Sequence, residues 1–548
     1  MTHPNPSTAL ARVVIDELVV GGVRFVAVSP GSRSGALAIA ASQHPELETR
    51  VIIDERSAAF WALGIARASG RPAAVLCTSG TALANFFPAI IEADMSGVPL
   101  VAVSADRPEE LRGVGANQTI DQVNLFGPKV RAYRGIEAPE VGIDANEAWR
   151  SAVSGLVGAA TGAPMPGPVH LNVAFREPTV PVADDGRTAG ATYEFPTPRL
   201  ETAATPAEPG TDSITDLNLD AGMGIVIAGD GEYDRLSVEE HAGRLGWPIL
   251  ATALSGMRGG GVVSAYRFLL DRGVPDPLRP ESVVAIGSIG PDPSLERLVD
   301  AARVRIRVDR WGRHIDPGRN ATKVLAADPV EVLSRVDGSG ADGWAKKWRE
   351  ADAEVRSRVV AAIESRSRTT GGVVAHAVNR VDRGALVVAS SLPIREVDAH
   401  LTTRGPIFAN RGASGIDGFI STALGVASVI PRTVAVAGDL SLLHDANGFL
   451  SEGETDLTLI VIDNGGGGLF DSLPQARHAP DFERLFITPP GRDPVELLRF
   501  HRARTRIVSE PAKLVPALDS ALDRPGLDAV VVPVDRRYDL EARSQSYS

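Results

Sequence analysis

The chain has 548 residues, 44% of them hydrophobic and 23% charged, so it is long enough to bury more than one hydrophobic core. Its 68 Asp and Glu residues outnumber 56 Lys and Arg residues, and the net charge of −12 argues against nucleic acid or an anionic membrane as the main partner. Cys77 is the only cysteine, which excludes an intramolecular disulfide and a cysteine-rich metal site. Because we find neither a signal pattern nor an apolar run of transmembrane length, we expect a cytoplasmic protein without an integral membrane segment.

Short runs rich in β-branched residues recur along the chain, and each is followed by a Gly-rich turn and an Ala-rich segment with helical spacing. In chain order, these runs are FVAVSPGS, PAAVLCTSGTALANFF, PLVAVSADRPEEL, GIVIAGDGE, SVVAIGSIG, ALVVASSLP, TVAVAGDLS and LTLIVIDNGGGG. The repeated order of strand, turn and helix predicts an α/β fold of doubly wound parallel sheets with helices on both faces.

Changes in composition predict where the domains end. Residues 177–212 are rich in Pro, Thr, Ala and Gly and lack apolar periodicity, which is typical of a linker. A weaker break at residues 337–348 precedes a predicted connecting helix, AEVRSRVVAAIESRSR. We therefore predict three α/β domains at residues 1–180, 212–335 and 350–548, with a linker at 181–211.

Two predicted strands end in Gly-Asp, at Asp230 and at Asp439. Ligands of parallel sheets bind beyond the carboxyl ends of the strands, where an Asp can coordinate Mg²⁺ together with a second oxygen donor. One helix and one strand after Asp439, the next strand ends at Asn464, before four glycines, whereas no Asn or Asp stands at that distance after Asp230. This spacing favours a metal site at Asp439; the alternative is that Asp439 only caps a helix beginning near Ser441.

Glu55 stands where a predicted strand, Arg50 to Ile53, runs into a helix in RVIIDERSAAFWALG. A glutamate in the first turn of a helix is favoured by the helix dipole, which is sufficient to explain it. If it were enclosed, the same carboxyl group could protonate or polarise a heterocyclic nitrogen.

Taken together, these features resemble the thiamine diphosphate-dependent decarboxylase and carboligase superfamily. Within it, the sequence is similar to the 2-succinyl-5-enolpyruvyl-6-hydroxy-3-cyclohexene-1-carboxylate synthase (MenD) family. The resemblance covers most of the first and third predicted domains and runs through VSPGSRSGALA, DERSAAFWALG, TSGTALANFFPAIIEA, SADRPEELRGVGANQTIDQ, FANRGASGIDGFIST, GDLSLLHDANG and NGGGGLFDSLPQ.

The resemblance implies thiamine diphosphate and Mg²⁺ as cofactors, with Mn²⁺ as an alternative metal. Asp439, Asn464 and the carbonyl of Gly466 would hold the metal. Glu55 would be the catalytic residue, hydrogen-bonded to the aminopyrimidine ring of the cofactor. Further cofactor contacts are implied for Ile416, which would force the cofactor into a bent form, and for Gly438, Leu440, Ser441 and Leu469.

The same resemblance implies a reaction that decarboxylates 2-oxoglutarate and adds the succinyl semialdehyde carbanion 1,4 to isochorismate, in menaquinone biosynthesis. Both substrates carry two carboxylates, so several guanidinium groups are expected at the site. The implied substrate contacts are Arg33, Arg107, Arg297, Arg395 and Arg411, with Ser32, Asn117, Gln118, Ser391, Phe470 and Leu473.

The resemblance also implies a homo-oligomer, at least a dimer and by expectation a tetramer, with active sites between subunits. Two positions depart from the family's pattern: Glu296 precedes Arg297 where some members carry a Lys-Arg pair, and Asp463 precedes Asn464 where the superfamily has Asn-Asn. His444 has no assigned role. Two other functions stay open, another 2-oxoacid carboligase or decarboxylase of the acetolactate synthase type and a non-catalytic α/β nucleotide-binding or regulatory protein.

Overall fold

The computed structural model describes residues 6–140, 145–162, 165–179, 219–313, 315–451, 453, 455–478 and 480–546. The predicted linker at 181–211 lies outside them. The chain forms two compact units: Met1–Pro206 with Asn410–Pro431 and Ser441–Asp456, and Ala207–Ala409 with Arg432–Leu440 and Leu457–Ser548.

The first unit contains a six-stranded parallel sheet in the order β2-β1-β3-β4-β6-β5. Its strands are β1 (Phe25–Val28), β2 (Glu48–Val51), β3 (Ala73–Cys77), β4 (Leu100–Asp106), β5 (Tyr133–Ile136) and β6 (Val169–Ala174). The helices of this part of the chain are α1 (Pro6–Val20), α2 (Gly35–Gln43), α3 (Glu55–Ser69), α4 (Thr81–Ala84), α5 (Phe87–Ser96) and α6 (Asn146–Thr161). Strands β3, β4 and β6 are buried along their whole length, as expected for a parallel sheet covered on both faces.

A later helix, α14 (Phe419–Ala427), belongs to the first unit and packs against α3. Two glycines make this contact close, since a Cβ on Gly64 would overlap the carbonyl oxygen of Thr422 and one on Gly425 would overlap that of Trp61. The backbones of the two helices therefore touch without intervening side chains, and this contact fixes the helix that begins with Glu55.

The second unit contains two parallel sheets, the smaller in the order β11-β10-β9-β7-β8. Its strands are β7 (Gly224–Ala228), β8 (Ile249–Ala251), β9 (Ser282–Ile286), β10 (Val304–Val308) and β11 (Lys323–Leu325). The accompanying helices are α7 (Arg235–Arg244), α8 (Tyr266–Leu269), α9 (Pro293–Ala301), α10 (Pro329–Ser334) and α11 (Trp344–Glu364).

The larger sheet of the second unit has the order β13-β12-β14-β15-β17-β16. Its strands are β12 (Ala385–Val388), β13 (Ile407–Phe408), β14 (Thr433–Gly438), β15 (Leu457–Asp463), β16 (Arg504–Ile507) and β17 (Leu527–Pro533). The helices along this stretch are α12 (Gly371–Val378), α13 (Leu392–His400), α15 (Asp439–His444), α16 (Gln475–His478), α17 (Pro494–Phe500), α18 (Leu514–Leu522) and α19 (Arg536–Ser546).

Helix α11 joins the cores of these two sheets. Trp344 and Trp348 at its start pack in the core of the smaller sheet, and Val359 and Ile363 near its end pack in the core of the larger one. The predicted connecting helix therefore exists, but it begins earlier than the sequence pattern indicated, inside the break expected at residues 337–348.

The predicted α/β class is confirmed, because the three sheets are parallel throughout and alternate with helices. One sheet lies within each of the ranges 1–180, 212–335 and 350–548, although the domain limits themselves stay a prediction. No helix among the described residues is both long enough and apolar enough to cross a membrane.

Candidate active site

The ends of the adjacent strands β14 and β15 bring Asp439 close to the glycine-rich turn. The two strands pair in parallel, with Gly438 opposite Ile462, so Asp439 lies level with Asp463 and one position before the level of Asn464. The Asp439 carboxylate accepts the N–H of Leu440 through Oδ1 at 2.7 Å and the N–H of Gly466 through Oδ2 at 2.7 Å. The carboxylate thus ties the two strand ends together.

Burial changes the pKa of the Asp439 carboxyl group. Asp439 is 2% exposed, and burial raises the pKa of its carboxyl group to about 6, against the effect of the two backbone N–H bonds. The Asp463 carboxyl group adds to this rise, and burial also raises the pKa of Asp463 itself. A negative charge here is poorly compensated by the protein, which favours a bound cation.

Asn464 and Gly466 follow the end of β15 beside Asp439, and the Gly466 carbonyl accepts the N–H of Gly468 at 2.8 Å. The Asn464 Oδ1 atom is buried and has no hydrogen-bond partner among the described residues. Gly466 has a φ of 128°, and a Cβ at this position would overlap the Ile487 carbonyl oxygen, so the turn requires glycine. Carboxylate and amide oxygens are ligands that Mg²⁺ prefers, and a buried Oδ1 atom without a partner, next to a buried carboxylate, fits such a cation.

Three more predicted cofactor positions, Gly438, Leu440 and Leu469, belong to the second unit and lie at or after the ends of β14 and β15. Gly438 ends β14, and a Cβ added to it would meet no atom within 4 Å, so open space faces it. Leu440 is half-buried, as is Leu469 in the short helix after the glycines. Helix α15 begins at Asp439, earlier than the predicted start near Ser441; Ser441 itself is buried and belongs to the first unit.

Asp230 has different surroundings. It follows β7, and its backbone N–H and carbonyl both bond Ser288, at 2.8 Å each, in an isolated antiparallel bridge. Among the residues that the structure describes, no group of three or more His, Cys, Asp or Glu side chains could hold a metal ion.

Glu55 is the first residue of α3, whose amino end is capped by Asp54 through the N–H of Ser57 at 3.1 Å. Strand β2 ends at Val51, so the predicted strand from Arg50 to Ile53 is displaced. Glu55 is half-buried, and no hydrogen bond or ion pair of the described residues uses its carboxylate. Its charge, with burial, raises the pKa of the nearby Cys77 thiol. The carboxylate is therefore free to bond a ligand.

Two of the predicted substrate arginines lie together at the strand ends of the first sheet. Arg33 donates to the Phe175 carbonyl at 2.9 Å and pairs with Glu177 at 3.1 Å. Arg107 follows β4, and burial together with the Arg33 guanidinium lowers the pKa of Arg107. The Arg33 guanidinium thus disfavours the charged form of Arg107, and the Glu177 carboxylate opposes this effect.

The polar residues predicted to accompany these arginines are at the surface. Ser32, Asn117 and Gln118 are exposed. Gln118 has a φ of 55°, which is unusual for a residue with a side chain, and its Nε2 donates to the Ser79 carbonyl at 2.9 Å. Arg107 donates to the Asn117 carbonyl at 2.9 Å, so Arg107, Asn117 and Gln118 form one connected group.

Arg411 and Ile416 belong to the segment that precedes α14, and both are half-buried. This segment is anchored by Glu92, whose carboxylate accepts the N–H groups of Gly412 and Ala413 at 2.8 and 2.7 Å. Their shared segment brings Arg411 and Ile416 into the same loop of the first unit.

In the second unit, Ser391 and Arg395 lie at the start of α13. Ser391 has a φ of 72° without being glycine, and its carbonyl accepts a hydrogen bond from Arg395 at 2.5 Å. A strained residue at the start of a helix, next to a cationic side chain, is typical of functional positions.

Phe470 and Leu473 lie in and just after the short helix Gly468–Ser472, and both are half-buried. The Phe470 ring packs against Phe486, with 5.5 Å between the ring centroids. Both follow Leu469 in the same stretch of chain.

Arg297 is engaged elsewhere. It is exposed on α9 and donates to the carbonyls of Leu270 and Asp271 at 3.1 and 3.3 Å. Glu296 pairs with the buried Arg307 at 2.7 Å, which explains why an acidic residue stands there. Its role at a substrate stays a prediction.

Several buried polar residues below Arg107 and Gln118 were not predicted. Ser79, Gln122 and Asn172 are each at most 2% exposed and bond one another or the backbone beside the predicted residues. Asn172 could have been noticed as a polar residue inside the apolar strand VHLNVA, whereas Ser79 follows β3 and Gln122 follows β4 and neither carries such a signal.

Asp445 was also not singled out. It is fully buried below the first turn of α14, where it accepts the N–H and hydroxyl of Ser421 at 2.8 and 2.9 Å. The preceding His444 is exposed, and its carbonyl accepts a bond from Arg56 at 3.0 Å.

Comparison with known proteins shows the family of the chain. The family described as thiamine pyrophosphate enzyme, N-terminal TPP binding domain, matches residues 8–125. Three curated proteins named 2-succinyl-5-enolpyruvyl-6-hydroxy-3-cyclohexene-1-carboxylate synthase are similar over most of the chain. The protein of Thermobifida fusca is 41% identical over 89% of each chain. Those of Saccharopolyspora erythraea and Bacillus velezensis are 37% and 35% identical, each over 97% of this chain and 96% of the relative. The chain therefore belongs to the 2-succinyl-5-enolpyruvyl-6-hydroxy-3-cyclohexene-1-carboxylate synthase family of thiamine diphosphate-dependent enzymes.

Proposed function

We propose that this protein decarboxylates 2-oxoglutarate with thiamine diphosphate and adds the four-carbon unit 1,4 to isochorismate. The products are 2-succinyl-5-enolpyruvyl-6-hydroxy-3-cyclohexene-1-carboxylate and CO₂, in menaquinone biosynthesis. The observation that carries the proposal is the buried Asp439 beside the partnerless Asn464 Oδ1 atom, in a chain of this family.

Asp439, Asn464 and the Gly466 carbonyl would hold Mg²⁺, or Mn²⁺ in its place, against the diphosphate. Thiamine diphosphate, when bound, supplies the carbanion chemistry that decarboxylation of a 2-oxoacid needs. Gly438, Leu440 and Ser441 would border the diphosphate, and Leu469 and Ile416 would give the rings apolar contacts. Support comes from the open space at Gly438 and the half-buried side chains of Leu469 and Ile416.

Glu55 would exchange a proton with a ring nitrogen of the cofactor. Its carboxylate is half-buried and unused by the described residues, so a ligand nitrogen does not have to displace a protein partner. General acid–base catalysis requires a carboxyl group that can come within hydrogen-bonding reach of the group that it serves, and an unengaged Glu55 meets the first part of this requirement.

The substrate carboxylates would bind to guanidinium groups. In the first unit, Arg33 and Arg107 stand close together, and Ser32, Asn117, Gln118 and Arg411 would add contacts. In the second unit, Ser391 and Arg395 would contact the substrate, and Arg297 would be a further cation. Phe470 and Leu473 would form an apolar wall. Arginine suits this task because its planar fork matches a carboxylate.

The proposal includes assembly as a homo-oligomer, at least a dimer and by expectation a tetramer, in the cytoplasm. Exposed apolar side chains of the first unit support an interface, with Ile53 66%, Val114 69% and Val123 53% exposed. The exposed Ile53 stands two residues before Glu55, so such an interface would border the site.

The direct experiment incubates the protein with 2-oxoglutarate, isochorismate, thiamine diphosphate and Mg²⁺ and follows the loss of isochorismate absorbance. We expect consumption that requires both substrates. Turnover of pyruvate without consumption of isochorismate would instead favour a carboligase of the acetolactate synthase type. Absence of Mg²⁺-dependent cofactor binding in calorimetry would favour a non-catalytic protein.

A further inference from the structure

Ser79, two residues after β3, connects the substrate residues proposed in the first unit. Its hydroxyl donates to the Gln118 carbonyl at 3.0 Å and accepts a bond from the Arg107 guanidinium. Its carbonyl accepts the bond from Gln118 Nε2. Two side chains from the loop after β4 thus depend on the position of one residue at the end of β3.

Gln118 needs this support, because its φ of 55° is a conformation that costs a residue with a side chain free energy. The neighbouring Gly80 has a φ of 88°, and a Cβ there would stand 3.0 Å from Gln118 Cγ. The strained residue therefore rests directly on the turn after β3, and a shift of that turn would release it.

Gln122 holds the turn in place. Its Oε1 accepts the N–H of Gly80 at 2.8 Å, and its Nε2 donates to the Ala105 carbonyl at 3.2 Å and to Asn172 Oδ1 at 2.8 Å. The side chain is 1% exposed. Both of its donors and its acceptor are thus used, and they connect the ends of β3, β4 and β6.

The network continues below Gln122 into the sheet. Asn172 accepts the Ser104 hydroxyl at 2.7 Å and donates to Asp106 at 2.8 Å. The other oxygen of Asp106 accepts the N–H of Arg107 at 2.7 Å. The chain of bonds thus leaves Gly80, passes through the core and returns at Arg107.

A buried polar network of this kind is expensive, because apolar residues of similar volume would stabilise strands at least as well. Both of its ends attach to the backbone of residues beside the guanidinium and amide groups proposed to bind substrate. The presence of this buried network is explained if it fixes the positions of the Arg107 guanidinium and the Gln118 amide.

We propose that Gln122 is a positioning residue that, through Gly80 and Asn172, holds Arg107 and Gln118 in the arrangement that binds a substrate carboxylate. Gln122 does not itself touch substrate. The inference rests on the proposed function, because the ligand is one of the two dicarboxylate substrates.

The test compares wild type with Gln122→Met, which keeps the volume and apolar contacts but removes all three hydrogen bonds. We expect KM for at least one of the two substrates to rise by about tenfold, with kcat and the cofactor Kd within about threefold of wild type, since the lost positioning affects uniform binding. Ser79→Ala, a smaller change at the other end of the same connection, should shift KM in the same direction and serves if Gln122→Met does not fold.

Val153→Ala is the matched control, because it removes buried volume from α6 in the same core without touching the network. A second readout is amide hydrogen exchange of the ligand-free protein in peptides covering residues 78–81 and 112–119, which Gln122→Met should accelerate and Val153→Ala should not. An unchanged KM in both network variants, or an equal rise in Val153→Ala, overturns the inference. Inactive wild-type protein would instead overturn the proposed function, and hydrogen exchange would then decide the positioning role alone.

Discussion

The pKa of the Asp439 carboxyl group is subject to opposing effects. Two backbone N–H bonds stabilise its ionised form, yet burial and the nearby Asp463 outweigh them and hold its pKa at about 6. Asn464 Oδ1 adds an unsatisfied acceptor beside it. A divalent cation would satisfy both groups at once, since it compensates the buried charge and accepts the amide oxygen as a ligand.

The role proposed for Glu55 predicts a separation between binding and activation. Glu55→Gln keeps the size of the side chain and a hydrogen bond to a ring nitrogen, but it cannot exchange the proton. We expect thiamine diphosphate to bind with a Kd within about threefold of wild type, while kcat falls by at least about a hundredfold, in the range for loss of a general acid or base. Calorimetry measures the Kd for thiamine diphosphate, and the isochorismate assay measures kcat. Near-normal turnover by Glu55→Gln would refute the proposed role of Glu55.

His170 gives a pH prediction in the first unit. Burial lowers its pKa to about 3, so the ring is neutral, and because Ser104 gives its proton to Asn172, the His170 Nε2–H must donate to the Ser104 hydroxyl at 2.8 Å. In the unfolded chain the pKa is near the ordinary value of about 6.5, so between pH 6.5 and 3 the unfolded state binds the extra proton and stability falls as pH falls.

The change from pH 7 to pH 5 should cost about 2 kcal/mol at this one residue. His170→Gln keeps a donor for Ser104 but does not titrate. Between pH 7 and pH 5, the free energy of unfolding of the variant should therefore fall by about 2 kcal/mol less than that of wild type. Urea unfolding of both proteins at the two pH values measures the difference. Equal pH dependence would show that His170 is protonated in the folded protein.

At the scale of elements, the contact between α3 and α14 positions the helix that carries Glu55. Gly64→Ala would gain helix propensity, but its Cβ would overlap the Thr422 carbonyl oxygen, and backbone cannot move aside as a flexible side chain can. We expect a loss of stability of about 1–3 kcal/mol, as for overpacking, and a lower kcat.

Gly155→Ala is the control for this prediction, because Gly155 lies inside α6 and an added Cβ would meet nothing within 4 Å. It should raise stability by about 0.5–1 kcal/mol through helix propensity alone. Thermal unfolding of the two variants compares them. If both substitutions stabilise the protein, the helix contact is looser than described.

Elements with strong local signals were predictable. Each β-branched run followed by glycine became a strand, such as β14 and β15, because buried parallel strands are apolar along their whole length. The edge strand β2 was displaced because its residues Glu48, Thr49 and Arg50 are polar and carry no such pattern. β6 and β17 were missed, since VHLNVA contains polar residues and LDAVVVP is followed by no glycine turn.

At the scale of the whole molecule, the first and the third sheet have the same strand order when each is numbered along the chain, 2-1-3-4-6-5. The sequence showed this only as a similar rhythm of strands. In both sheets the predicted site residues follow strand ends: Arg33 and Arg107 in the first, Ser391, Asp439 and Asn464 in the third. Glycines mark the strand ends at Asp439 and Asn464, and Arg33, Arg107 and Ser391 were implied by the family resemblance. The Gln122 network was not predictable, because its bonds join residues far apart in the chain.

The account depends most on Asp439 and Asn464 as the place where Mg²⁺ and thiamine diphosphate bind. Isothermal titration calorimetry of thiamine diphosphate with and without Mg²⁺, on wild type, Asp439→Asn and Asp230→Asn, tests it directly. We predict Mg²⁺-dependent binding in wild type and Asp230→Asn, and a loss of at least about tenfold in affinity in Asp439→Asn, because a charged ligand of the cation is removed. Unchanged affinity in Asp439→Asn, or a loss confined to Asp230→Asn, would contradict the account.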